Sequence, residues 1–287
     1  MDISALSSCP LLTHLDLSSS ERVLNIAALS SCHLLTNLNL SQTSVHDISA
    51  LSSCSSLTHL NLSETQVLHI SALSSCPSLR ELDLSHTYSL HDISALSSCA
   101  ASMSRLNLSY CSALDNISCL SSCVSLTNLN LCGTLVTDIS ALSSCSVLNQ
   151  LNLSHTDVSD ISALSLCHCL THLDLSHTQD PDFSNTGVSD ISALSSCPSL
   201  QVLDISFTEI IDISVLSSCR CLEVLNISFT RIIDISALSA SCCPSLKHLN
   251  VRDTPIIYDE MILKDSAALL SAFRDDARNI NVLGLNE

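Results

Sequence analysis

The chain has no tryptophan, three glycines, and so few aromatic residues that Phe, Tyr and Trp make up 2% of its 287 positions. With Gly133, Gly187 and Gly284 so scattered, a glycine-rich phosphate loop is excluded. Basic residues are scarce as well: 10 Lys and Arg stand against 28 Asp and Glu, a formal net charge of −18. A surface of that sign repels phosphate backbones and anionic lipid, so no nucleic acid is expected as a partner and a basic protein partner is favoured. The few cations gather late, at Arg220, Arg231, Lys247, Arg252, Lys264, Arg274 and Arg278. No apolar run reaches the roughly 18 residues of a membrane span, so membrane insertion is not expected. The start, Met1-Asp2-Ile3-Ser4, lacks the basic opening and apolar core of a secretory leader.

What remains is a narrow vocabulary of Leu, Ser, Cys, Asp and Asn, 46% of it hydrophobic, and that combination signals repetition rather than disorder. From Leu35 the chain reads LTNLNLSQTSVHDISALSSCSS and from Leu57 LTHLNLSETQVLHISALSSCPS, two units of 22 residues. The frame recurs at Leu12, Leu79, Met103, Leu126, Leu148, Leu170, Leu200, Leu222 and Leu246, eleven units in all. In one unit Leu35, Leu38, Leu40, Thr43, Val45, Ile48, Leu51 and Cys54 are the residues that must point inward if each unit is one coil. Asn37 to Leu40 alternates polar and apolar side chains, as a short strand with one buried face does. Ser49 to Cys54 suits a single helical or 3₁₀ turn, with Ser49 as its expected N-cap. No coil can bury its apolar edge alone, so neighbours must stack at about 4.8 Å and share one core.

This frame resembles the leucine-rich-repeat family, in the 22-residue class of internalin-type adhesins and phosphatase regulators. The run Asp47 to Leu51 is especially similar to the internalin repeat, and the Ser-Ser-Cys ending resembles repeats expanded in some protists. The resemblance implies an α/β fold: a right-handed solenoid with a concave parallel sheet and a convex side of short helical turns. It covers residues 1–257, about eleven coils. One departure is the Thr that replaces the usual Asn after each strand, as at Thr43, Thr65 and Thr87; its hydroxyl is expected to bond backbone of the adjacent coil. At the first coil Ile3, Leu6 and Leu11 are expected at the surface. An eight-residue surplus, 179–186, reads as a projecting loop. Residues 258–287 read as a C-terminal helical cap, with Asp265 as N-cap, Leu269, Leu270, Phe273 and Ala277 as its stripe, and Ile280 to Leu285 packed beside it.

Eleven cysteines (Cys9, Cys32, Cys54, Cys76, Cys99, Cys123, Cys145, Cys167, Cys197, Cys219 and Cys242) share one frame position and read as small buried hydrophobes. Cys167-His168-Cys169 and Cys219-Arg220-Cys221 suggest zinc, but within each pair the frame turns one Cys inward and one outward, against four convergent ligands. No metal and no cofactor are expected. A buried thiol column, with Asn-x-Ser triplets at Asn39, Asn61, Asn107, Asn152 and Asn226 that glycans would otherwise cover, favours a cytoplasmic location. His155, His172, His177, Asp174 and Ser176 look like a hydrolase set, yet repetition alone brings such residues together, and no catalytic residue is assigned.

Two surfaces carry a binding reading. The column Asp16, Asn39, Asn61, Asp83, Asn107, Asn130, Asn152, Asp174, Asp204, Asn226 and Asn250, expected to project from the strand centres onto the concave face, is either a polar strip for a basic ligand or a merely solvated face. Phe207 and Phe229 share a frame position on adjacent coils, Phe183 rides the insertion beside them, and Val202 and Val224 put apolar side chains outward on the same two strands. Exposed aromatic and apolar residues gathered in this way mark interfaces. The expected partner site is therefore Phe183, Val202, Asp204, Phe207, Val224, Asn226 and Phe229; local repacking around the insertion is the bland alternative. The function expected is a non-catalytic protein-interaction scaffold. A secreted or surface adhesin and a ubiquitin-ligase substrate adaptor are the alternatives.

Overall fold

Residues 2–178, 187–258 and 281–283 are described by the structure, a computed structural model. The chain divides into two compact units, Met1–Leu148 and Asn149–Glu287. In the first, strands β1 (His14–Asp16), β2 (Asn37–Asn39), β3 (His59–Asn61), β4 (Glu81–Asp83), β5 (Arg105–Asn107) and β6 (Asn128–Asn130) lie side by side in chain order. In the second the same holds for β7 (Gln150–Asn152), β8 (His172–Asp174), β9 (Val202–Asp204), β10 (Val224–Asn226), β11 (His248–Asn250) and β12 (Asn281–Leu283). Pairing is parallel and in phase, with Leu38 opposite Leu60 and Leu60 opposite Leu82. The leucine-rich-repeat solenoid is therefore the fold. Each strand is only three residues long because only its central Leu is needed inside; in β2 Leu38 is 3% exposed between half-buried Asn37 and Asn39.

All eight inward positions of the second coil are buried, from Leu35 at 0% to Thr43 at 4%. Apolar side chains of like kind stack upon one another from coil to coil, so the core is a set of columns, as where Val45 is followed by Val67 and Leu90. The first coil shows what a neighbour contributes: Leu11 is 79% exposed, whereas Ile3, expected at the surface, is buried at 7%, because the slot it shares with Ile26 lies against the next coil.

The helical side consists of 3₁₀ turns, such as Ser49–Ser53 and Ser140–Ser144. Ser49 is not the cap. The cap position is Ile48, whose side chain cannot accept a hydrogen bond; the free N–H of Ser49 donates instead to Oδ1 of Asp47 at 2.8 Å. The same Asx turn, in which a short side chain closes on backbone two residues ahead, recurs at Asp92, Asp138, Asp160, Asp190, Asp212 and Asp234. The post-strand threonines also act within their own coil: Thr43 Oγ1 donates to Leu40 O at 2.7 Å, not to the adjacent coil. At Thr178, where the insertion departs, the buried hydroxyl has no partner among the described residues.

The cysteine column is buried as expected, with two corrections. Cys9, ahead of the first full unit, is exposed, and the tenth unit uses Cys243 rather than Cys242, because the chain bulges through Ser239–Cys242 before rejoining the frame. The thiols donate to carbonyls of the preceding coil, Cys54 to Leu29 O and Cys76 to Leu51 O, both at 3.5 Å. Burial pushes Cys54 and Cys76 up to about 11 and Cys123 and Cys219 up to about 12, which leaves them protonated and unreactive. The insertion 179–186 and Asp265, Leu269, Leu270, Phe273 and Ala277 of the expected cap lie outside the described residues. Within the stretch Ile280 to Leu285, residues 281–283 form β12, parallel to β11 with Asn281 opposite His248.

Two measurements follow from this packing. All 17 cysteines are free, and twelve are buried, so a thiol reagent should label no more than the five others in native protein and all 17 after denaturation. The Asp47, Asp138 and Asp212 carboxyls are held below their ordinary 3.8, chiefly by the backbone N–H each accepts. Stability from such groups is complete above the unfolded pKa and is lost as pH falls through the lower folded one. Denaturation midpoints should thus be flat near neutrality and fall below about pH 4. Asp138→Asn, which copies Asn25 and Asn116 in the same slot, should keep the neutral midpoint and soften the acid decline.

Candidate functional site

After each strand the chain must turn sharply, and it does so through one left-handed residue per coil. Ser19, Gln42, Glu64, His86, Tyr110, His155, His177, Phe207, Phe229 and Asp253 all have φ between 52° and 59°, and Gly133 completes the column at 68°. Bulky side chains are rare in this conformation because Cβ crowds the following carbonyl, at a cost of about 1–2 kcal/mol. What offsets it in part is a bond to the next coil: the N–H of Phe207 donates to Ser228 O at 3.1 Å and that of Phe229 to Arg252 O at 2.9 Å.

Side chains at this position lie over one another along the rim of the sheet. In the second unit they form a ladder of four rings. His155 stacks on His177 with centroids 4.4 Å apart, His177 on Phe207 at 4.1 Å, and Phe207 on Phe229 at 4.2 Å, all within 16° of parallel. In the first unit His86 stacks on Tyr110 at 4.7 Å. Tyr110 lies on Gly133, where a Cβ would stand 2.8 Å from its ring; any side chain here would have to displace that ring. Earlier coils carry a polar version, with Ser19 Oγ donating to Gln42 Oε1 and Gln42 Nε2 to Glu64 Oε1.

The expected site residues divide across this geometry. Val202 and Val224 are direct neighbours, half-buried on the sheet face between His172 and His248. Asp204 Oδ2 accepts from Asn226 Nδ2 at 2.9 Å. Phe207 and Phe229 lie on the rim in the ladder, and Phe183 falls outside the described residues. His155 and His177 belong with the two phenylalanines and were read from sequence only as a false hydrolase set. Their shared frame position was the signal that could have placed them.

The acid and amide column has a structural role. Asn39 Oδ1 accepts from Ser41 N at 3.0 Å, Asp174 Oδ1 from Ser176 N at 2.9 Å, and Asp204 Oδ1 from Ser206 N at 2.9 Å, so each residue holds the bend that leads into the left-handed position. Ser176 Oγ donates to Asp174 rather than to a histidine. Burial, followed by neighbouring His155, holds His177 below its ordinary 6.5, against an upward pull from Asp204 and Asp174. This rung of the ladder is therefore uncharged at neutral pH. Cys167 and Cys219 are buried while Cys169 and Cys221 are exposed, and among the described residues no group of three or more His, Cys, Asp or Glu is placed to hold a metal ion. Among the same residues no helix is long and apolar enough to cross a membrane.

The repeat described as a BspA type leucine rich repeat region matches residues 1–80 and 49–172, in six copies. The chain belongs to the BspA-type leucine-rich-repeat family. This member is similar in structure to an internalin, inlF of Listeria monocytogenes, with 28% identity and a TM-score of 0.71 over 87% of this chain and 75% of that one. The APL1 leucine-rich-repeat domain matches at 23% identity and TM-score 0.65, over 85% and 62% of the two chains, and shows the fold alone. So does the functional domain of InlJ from Listeria monocytogenes, described as including a cysteine ladder, at 17% identity and TM-score 0.62 over 85% and 64%. No curated protein sequence matches the chain. The fold is of the kind used for protein–protein interaction.

Glycine accepts the left-handed conformation without strain, while stacking returns about 0.5–1.5 kcal/mol per ring pair. Phe229→Gly should therefore shift urea stability by less than about 2 kcal/mol, where deleting a core Phe costs about 3–5 kcal/mol. A loss in the larger range would make the ring a structural necessity.

Proposed function

We propose that this BspA-type repeat protein is a non-catalytic scaffold that binds a protein partner along the rim and sheet face of coils seven to ten. The observation that carries the reading is the four-ring ladder. Strain and stacking are of similar size at these positions and glycine would avoid the strain, so stability alone gives little reason for large rings there. Phe229 is 45% exposed, and half-buried Val202 and Val224 extend apolar surface onto the adjoining strands. Aromatic anchors of this type dominate interface energetics. The solved plant receptor RGFR1, which shares the fold at 18% identity and TM-score 0.62, is in complex with RGF2, which is consistent with such a use of the fold. The chain's net charge of −18 favours a partner with a basic surface.

Cytoplasmic residence is part of the proposal. Cys54, Cys76, Cys99, Cys123, Cys145, Cys197 and Cys219 would survive in any compartment, since burial raises their pKa and keeps them as thiols. Exposed Cys9, Cys169 and Cys221 are the ones an oxidising environment would modify. An adhesin is the second reading, favoured by the likeness to inlF.

Replacing Phe207 with a photo-crosslinking phenylalanine should give a discrete adduct in cells. The same residue at exposed Ser52 on the 3₁₀ side should not, and excess unlabelled Phe207→Ala/Phe229→Ala protein should fail to compete. Equal adducts from both positions would remove the rim from consideration.

A further inference from the structure

Rings stacked face to face hide the part of an aromatic side chain that best attracts a cation. Within the ladder both faces of His177 and of Phe207 are covered, by rings 4.1–4.4 Å away, and only their edges remain outward. Phe229 differs. Phe207 lies against one face of it at 4.2 Å, and among the described residues no ring covers the other: the left-handed position of the next coil holds Asp253, at φ 52°. The opposite face of Phe229 therefore points along the stacking direction toward a carboxylate-bearing residue. Two cations on this side of the molecule are committed elsewhere, Arg231 to Glu209 at 3.1 Å and Lys247 to Glu223 at 2.7 Å. Arg252 and Asp253 each have contacts of their own.

Resting on the interaction reading above, we propose that the outer face of Phe229 is the seat for an arginine side chain of the partner, whose planar guanidinium continues the ladder as its fifth layer. Three features select that chemistry. A planar group fits a stack with a spacing of 4.1–4.4 Å and tilts of 12–16°, whereas a tetrahedral ammonium does not extend it. The ring quadrupole attracts positive charge to the face, and stacked guanidinium is the commonest form of that contact. A carboxylate belongs to the next rung, where Asp253 stands, and the chain as a whole carries a net charge of −18. A neutral aromatic side chain would satisfy the stack but gain nothing from the carboxylate. A lysine would gain from the carboxylate but not from the stack.

The test uses full-length protein carrying ring-labelled phenylalanine. Only four Phe are present, so the signal of Phe229 is assigned by its loss in Phe229→Leu. Three short Gly/Ser peptides are titrated, identical except for a central Arg, Lys or Phe. The Arg peptide should shift the Phe229 signal and bind about fivefold more tightly than the Lys peptide, about 1 kcal/mol at 1.4 kcal/mol per tenfold. In Phe229→Leu the preference should vanish, with a urea transition that stays single and cooperative showing the fold intact. Asp253→Asn should weaken the Arg and Lys peptides alike. Equal affinity for Arg and Lys peptides would reduce the contact to general charge attraction and overturn the seat, and so would stronger binding of the Phe peptide. A preference that persists in Phe229→Leu would place the arginine elsewhere. None of these failures touches the crosslink from position 207, which reports on partner binding at the rim whatever side chain it presents.

Discussion

The constraint on which everything else rests is the sharp turn after each strand. A strand of three residues ends in an Asp or Asn whose side chain catches backbone two residues on, and the residue directly after that is forced into the left-handed region. Its N–H then reaches the neighbouring coil, so the turn that closes one coil also joins it to the next. The consequence for side chains is geometric. Whatever occupies that position is held at strand spacing, about 4.8 Å, above the same position of its neighbour, and flat rings at such a spacing have little choice but to stack. The aromatic ladder is thus a product of backbone periodicity, and its length depends only on how many successive coils carry a ring there.

Much of this was legible in the sequence. A period of 22 residues and the alternation in Asn37 to Leu40 suffice to fix strands, turns and all eight inward positions, because packing columns demand residues of like kind in each slot. What was not legible concerned short-range hydrogen bonds. Ser49 has the composition of a cap, but the cap is supplied by Asp47, which differs from a solvated acid only in where its oxygen points. The post-strand threonine was expected to join coils and instead closes its own. Cys242 and Cys243 are adjacent and alike; a local bulge decides between them, and no pattern records it. The site was partly legible. The pairing of Phe207 with Phe229 follows from the frame, but His155 and His177 invite a chemical interpretation that obscures their shape, and ring stacking depends on a backbone angle that composition does not reveal.

The strand-end acids illustrate how charge can mislead in a repeat. Their regular spacing resembles a designed binding strip, yet each carboxylate or amide is occupied with its own bend, and Asn serves as well as Asp at the same slot. Selection for turn geometry explains their recurrence without a ligand. Residues at the left-handed position are the reverse case. They vary from Ser to Phe because the backbone tolerates them all at some cost, and that variation is where a surface specific to this chain can be written.

Identical joints also bear on how such a molecule changes over time. Since every coil offers its successor the same columns of Leu, Ile and Cys, a whole unit can be gained or lost by unequal recombination without creating a mismatched seam. The event would leave the core as it was and move Phe229 by one coil with respect to everything downstream. Recognition could in this way be retuned in discrete steps by copy number, with no point mutation in the interior.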